Sequence, residues 1–192
     1  LFSAAQFADR LTEIEVVPAR LATDTLINWT PASTFPGGEQ RFLPTSSLFF
    51  GHTDPGPAPY AVPDSNGCAA GSSIEEAMLV ALLELIERDA VGIWWYSMAR
   101  RPEVTDPAAR ALRDAAARDL AASGRELWLL DLTTDLGVPV VAAVSARAGR
   151  QIVFGFGAPL DHPRAARSAI GEVAQLIAIG PDARRPDHRP RH

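Results

Sequence analysis

Residues 71–98 read GSSIEEAMLVALLELIERDAVGIWWYSM, and this stretch decides the fold. Ser73-Ile74-Glu75-Glu76 is a capping-box pattern, in which the Ser73 hydroxyl and the Glu76 carboxylate satisfy each other's free backbone N–H groups. A long helix is predicted from that point. Ala77 to Met98 is apolar and long enough to cross a bilayer, yet Glu84, Glu87, Arg88 and Asp89 stand at its middle. In lipid each would cost roughly 2.5 kcal/mol or more, so the stretch reads as a helix in water.

At about 100° per residue, with Glu76 at zero, Glu87 falls at about 20°, Val80 at about 40°, Glu84 at about 80° and Ser72 at about −40°. Met78, Leu82, Leu85 and Ile86 fall between about 160° and 280° and are the expected core face. Leu79 and Leu83 crowd towards the acidic side. Three carboxylates on one side of a leucine-rich helix repel one another unless a cation sits between them. Magnesium is such a cation, shared between one or two carboxylates and the phosphate oxygens of a nucleotide. A plainer reading also suits the pattern: Glu76 only caps, and Glu84, Glu87 and Arg88 form a solvated face of weak local ion pairs.

Working outward, Asp64 to Gly71 is a run of small residues with two glycines, which permits close approach by a ligand or another segment. Asp54 to Pro63 holds four prolines and one glycine and reads as a surface loop. Upstream, a short helix is expected at Ser3 to Leu11, with extended segments at Thr25 to Thr30 and Arg41 to Phe50 around the turn Pro36-Gly37-Gly38. Downstream, Asp106-Pro107 opens a helix that runs to about Ser123 and stops at Gly124. Glu126 to Leu132 reads as a strand, and Val138 to Ala146 and Gln151 to Phe156 read as a hairpin turned at Arg147–Arg150. Gly155-Phe156-Gly157 is expected as a strand-to-helix turn, and Asp161-His162-Pro163 opens a last helix ending at Gly180-Pro181. That helix carries Glu172 and Gln175 on one face of an otherwise apolar stretch, where an unpaired carboxylate is costly; an isolated pair of this kind also suits an ordinary surface position.

The order of elements implies an α+β fold, a mixed sheet with an antiparallel hairpin packed against long helices. Length and composition agree with one domain over residues 1–180, followed by an arginine- and proline-rich tail at 181–192 that reads as disordered or as a truncation point. The formal net charge is −5 over 192 residues, which argues against a nucleic-acid partner. All 18 basic residues are arginine, so Schiff-base and P-loop lysine chemistry are excluded from this stretch. Cys68 is the single cysteine, which excludes an intrachain disulfide framework and points to a reducing, cytoplasmic setting; it is expected as a small packing residue. Trp94 and Trp95 read as core or interface anchors, and neither a targeting signal nor a membrane span is read from the sequence.

Asp64 to Ala77, continued by Leu82 to Ala90 and Trp94-Trp95, resembles the YcaO family, and Asp131 to Val140, Gly155 to Leu160 and Glu172 to Gln175 extend the likeness to about residues 20–180. The Trp-Trp pair and the Asn66 to Gly71 run look most like the cyclodehydratases of thiazole/oxazole-modified, bacteriocin-type RiPP biosynthesis. The resemblance implies ATP and Mg2+ as cofactors, held by Ser72, Glu76, Glu84, Glu87, Arg88, Glu172 and Gln175. Glu84, Glu87, Glu172 and Gln175 would hold the metal, Ser72 and Glu76 would form the Sx3E pair, and Arg88 would meet phosphate oxygens. It implies that a Cys, Ser or Thr side chain of a precursor peptide attacks the preceding carbonyl, whose oxygen is phosphorylated and leaves, giving an azoline. The implied partners are the precursor, a leader-peptide-binding protein or fused domain, and a second copy in a homodimer. Thioamide or amidine formation, or an inactive docking module, are the alternatives. The chain is expected to be a central portion of such an enzyme, without its N- and C-terminal active-site segments.

Overall fold

The structure is a computed structural model that describes residues 21–55, 60–61, 63–148 and 150–180. The helix expected at Ser3 to Leu11 and the tail at 181–192 lie outside the described residues, as do several positions of the proline-rich loop. The chain divides into two compact units, Leu1–Ser65 and Asn66–His192.

In the first unit, β1 (Trp29–Ser33) pairs antiparallel with β2 (Gln40–Pro44), in register from Trp29 opposite Pro44 to Ser33 opposite Gln40. The extended segment expected to continue to Phe50 stops at Pro44 and becomes the short helix α1 (Thr45–Leu48). Local hydroxyl bonds favour that turn, Ser47 Oγ donating to the Pro44 carbonyl at 2.7 Å. Asp54, expected in a surface loop, is only 8% exposed. Its carboxylate accepts the Asn28 N–H at 3.0 Å and faces His52 Nε2 at 3.4 Å. The bond from the Asn28 main chain is the main reason its acidity is increased.

The second unit contains α2 (Ile74–Ser97), α3 (Pro107–Ala121), β3 (Arg125–Asp131), β4 (Val141–Arg147), β5 (Arg150–Gly157) and α4 (His162–Ile179). The helix starts are where local chemistry puts them. Ser73, Asp106 and Asp161 each accept a first-turn N–H, and proline follows at the first turn of α3 and α4. The strands form an antiparallel sheet in the order β3-β4-β5, with the expected hairpin between β4 and β5. The fold is α+β as expected. Asp131 to Val140, part of the family likeness, is the last residue of β3 and the connection to β4, turned at Gly137.

Alternation along the strands divides the core in two. Leu127, Leu129, Val141 and Ala143 pack with Ala109 of α3 and with Ala165, Ala166, Ala169 and Val173 of α4. Ala142, Leu130 and Phe156 belong to the other cluster, with Ile86, Ala90, Val91 and Trp94 of α2. The helices therefore cover both faces, and the central strand β4 is almost wholly buried.

Two expectations are corrected. Ile86 packs as predicted, but Leu82 and Leu85 are 51% and 48% exposed, and the buried residues of α2 are Glu87 and Ala90. Ala90, Val91 and Trp94 fall at about 320°, 60° and 0° on the wheel, so α2 turns its acidic side to the sheet. An apolar residue on nearly every face leaves periodicity unable to choose between them. Gly155 and Gly157 lie inside β5, not in a turn after it. A Cβ at Gly155 would stand 2.2 Å from the Ala169 carbonyl oxygen, and one at Gly157 would stand 2.5 Å from that of Ala165, so both glycines serve the close approach of α4.

Leu129→Ala should cost about 2–5 kcal/mol as a buried truncation, whereas Leu82→Ala should stay within about 0.5 kcal/mol. Urea unfolding of the two variants measures the order; equal losses would contradict the burial described for α2.

Candidate functional site

The loop before α2 is held down by its glycines. Gly67 adopts φ +75°, and a Cβ there would press on the Leu85 side chain at 3.2 Å. Its N–H donates to Glu84 Oε2 at 3.2 Å. Gly71 is closer still, since a Cβ would meet the Ala77 nitrogen at 2.7 Å. The start of α2 differs from the expected capping box in one bond. Ser73 Oγ accepts the Glu76 N–H at 3.2 Å, but the Glu76 carboxylate reaches Ser72, accepting its N–H at 2.7 Å and its hydroxyl. The Ser72 hydroxyl is the main reason Glu76 is made more acidic.

Further along α2, Arg88 lies between two carboxylates, Nη2 at 3.4 Å from Glu84 Oε1 and Nη1 at 3.8 Å from Glu87 Oε1. Glu87 is 8% exposed, which removes the solvated-face reading for this residue. Burial pushes its carboxyl up to about 7; Arg88 opposes the rise, while the charges of Glu172 and Glu84 add to it. Glu172 comes from α4. Its Oε2 accepts the Phe156 N–H at 2.9 Å, and β5 is the outer strand of the sheet among the described residues. The charge of Glu172, on the helix that covers the other face of the sheet, thus acts on Glu87 of α2.

Four of the seven expected residues, Glu84, Glu87, Arg88 and Glu172, form this electrostatic group. Ser72 and Glu76 form their own pair about 12 Å back along α2 from Glu84, at ~1.5 Å per residue. Gln175 is exposed, one turn beyond Glu172. Cys68 is exposed, contrary to the packing role expected of it. Trp94 packs edge-on against Phe154 and Phe156 at 5.9 and 6.4 Å, while Trp95, 57% exposed, contacts Phe154 at 5.8 Å. Sequence reasoning missed the main-chain donors, Gly67 and Phe156, because an N–H has no residue signature. The alternation of glycines at 155 and 157 was the available signal, and it marks a face, not a turn.

The family described as "YcaO cyclodehydratase, ATP- and Mg2+-binding" matches residues 2–192. The chain belongs to the YcaO family, whose cofactors are ATP and Mg2+. A heterocyclase solved in complex with substrate and cofactor superimposes with a TM-score of 0.81 at 35% identity, over 96% of this chain and 26% of that one. YcaO from Methanopyrus kandleri, bound with AMPPCP and Mg2+, gives a TM-score of 0.61 at 31% identity, over 78% of this chain and 40% of that one. An uncharacterized protein of Methanothermobacter thermautotrophicus is 33% identical over 172 residues, 85% of this chain. The chain spans 44% of the length of that relative. No helix among the described residues is long and apolar enough to cross a membrane.

The donor set suits a hard cation, being oxygen throughout. Among the described residues no three acidic, imidazole or thiol side chains are placed to hold an ion by themselves. Magnesium carried on phosphate needs no such cage, because it keeps waters and phosphate oxygens and takes only one or two carboxylates. The raised pKa of Glu87 is the matching observation, a buried carboxylate with too little positive charge beside it.

The sign of the pH effect follows. Folding favours the protonated form of Glu87, so its ionisation removes stability as pH rises from about 4.5 to about 7. Glu87→Gln should therefore stabilise the metal-free chain at pH 8, by an amount on the order of 3 kcal/mol or less, and do little at pH 5. Urea unfolding at the two pH values measures it; equal effects at both would count against a carboxylate ionising in a buried setting.

Proposed function

We propose that the protein to which this chain belongs is an ATP- and Mg2+-dependent peptide cyclodehydratase acting on a ribosomally made precursor. The carrying observation is a buried Glu87 beside Glu84 and Arg88 on α2 and under the charge of Glu172 from the helix on the other face of the sheet, in a YcaO chain. The domain over residues 1–180 contributes the acidic side of the nucleotide pocket. Glu84, Glu87, Glu172 and Gln175 would hold Mg2+, Arg88 would meet phosphate oxygens, and the Ser72–Glu76 pair would line the nucleotide. Bound Mg2+ supplies charge neutralisation for the triphosphate.

The chemistry follows from what the group lacks as well as what it has. It offers charge and position but no cysteine, serine or lysine nucleophile, which suits phosphoryl transfer, where positioning and electrostatics supply most of the catalysis. The attacking atom then comes from the substrate: a Cys, Ser or Thr side chain adds to the preceding carbonyl, the oxygen is phosphorylated by ATP and departs as phosphate, and an azoline remains. A substrate-bound heterocyclase among the similar structures supports a peptide as the acceptor. A leader-binding partner or fused domain, a homodimer and a cytoplasmic setting complete the reading.

Full-length protein mixed with ATP, Mg2+ and its cognate precursor should release phosphate and lower the peptide mass by one water per ring. Glu84→Ala and Glu87→Ala should each lower kcat/KM by about 10²-fold or more, the scale of losing one electrostatic stabiliser. A product with sulfur in place of oxygen, or with an added amine, would replace cyclodehydration by thioamide or amidine formation. Unchanged peptide mass together with no ATP binding by calorimetry would leave only a docking module.

A further inference from the structure

We propose that Gly155 and the main-chain N–H of Phe156 are positioning elements for Glu172, and that through it they set the affinity for Mg2+ and ATP. The inference rests on the assignment of Glu172 to the metal-nucleotide site under Proposed function.

Three observations carry it. Strand alternation sends Phe154 and Phe156 towards α2, where they meet Trp94, and sends positions 155 and 157 towards α4. On that side a Cβ at Gly155 would stand 2.2 Å from the Ala169 carbonyl oxygen and 2.9 Å from both the Glu172 Cβ and the Val173 nitrogen. Any other residue must push back the turn of α4 that carries Glu172. Seated at this distance, the Glu172 carboxylate reaches around the edge strand and accepts the Phe156 N–H at 2.9 Å. That N–H goes to Glu172 and not to β4, and β5 has no other neighbour among the described residues, so the bond satisfies an edge donor and fixes a long side chain together.

The device recurs in the same unit. Glu84 Oε2 takes the Gly67 N–H at 3.2 Å, and Glu76 Oε2 takes the Ser72 N–H at 2.7 Å. Each acid is tethered through one oxygen to a main-chain donor. A glutamate held in this way has lost its rotamer freedom before a ligand arrives, so binding does not bear that entropy cost.

The test uses the full-length protein, with ATP binding followed by calorimetry as Mg2+ is varied. Gly155→Ala pushes α4 outward. Phe156→Pro removes the N–H together with the ring, at a site where an edge strand tolerates proline because the N–H faces out of the sheet; Phe156→Leu removes the ring and keeps the donor, so the difference between the two variants reads the N–H. Gly171→Ala, on the same helix with nothing within 4 Å of its added Cβ, is the control for α4 itself. Gly155→Ala and Phe156→Pro should raise the Mg2+ concentration for half-maximal ATP binding about 10–100-fold, the range for partners that orient metal ligands. Phe156→Leu and Gly171→Ala should stay within about twofold, with near-UV circular dichroism confirming the fold of each. If Phe156→Pro folds and keeps the Mg2+ dependence of Phe156→Leu while Glu172→Ala loses binding, the inference is overturned and the site assignment stands. Wild-type protein that binds no ATP, or Glu172→Ala that binds like wild type, overturns both.

Discussion

A carboxylate kept out of water beside two others is the constraint on which the second unit turns. Glu87 ionises only reluctantly there, because burial and the charges of Glu172 and Glu84 oppose it and a single guanidinium offsets them. A helix selected for stability would carry an apolar residue at that position and leave the acids to solvent. α2 does the reverse: it faces the sheet with Glu87 as well as Ala90, and leaves Leu82 and Leu85 exposed. Under the proposed reading, the free energy given up would be recovered when a cation neutralises the group.

The rest of the unit is arranged to tolerate that concentration of charge. α2 lies on one face of the sheet and α4 on the other, and the charge of Glu172 acts on Glu87 from that second helix while its carboxylate is held at the outer edge of β5. An edge strand usually needs protection against unwanted pairing, and here the Glu172 carboxylate supplies some of it by accepting the Phe156 N–H. Small residues make the approach possible, with Ala165 and Ala169 on the helix facing glycines on the strand. The core on this side is correspondingly rich in alanine, and its tightness comes from short distances more than from large side chains.

What could be read from the chain followed the range of the interactions. Ser73, Asp106 and Asp161 were legible as helix starts because a cap bonds an N–H three residues away. The β4–β5 hairpin was legible because two β-branched runs flank a short turn. The facing of α2 was not, since a helix apolar on nearly every side carries its orientation in its tertiary neighbours. The acids were visible as a sector of the wheel, yet their meeting with Glu172 needed the sheet between them. Glu76 shows the same limit at one residue's scale: its carboxylate takes Ser72 and not the Ser73 main chain, where the backbone runs close past Gly71.

The absence of lysine bears on how a triphosphate could be held. Three carboxylates against Arg88 leave the group short by two positive charges, which one divalent cation restores. A bare triphosphate would be repelled by this surface, and its magnesium complex would be drawn to it, so under the proposed reading the acidic group would select the form of the nucleotide as well as bind it. Under the proposed reading the main-chain tethers of Glu84 and Glu172, through one oxygen each, serve the same end. A carboxylate pinned by a main-chain N–H keeps its place when no cation is present, even where its second oxygen faces an arginine, as Glu84 Oε1 faces Arg88 at 3.4 Å.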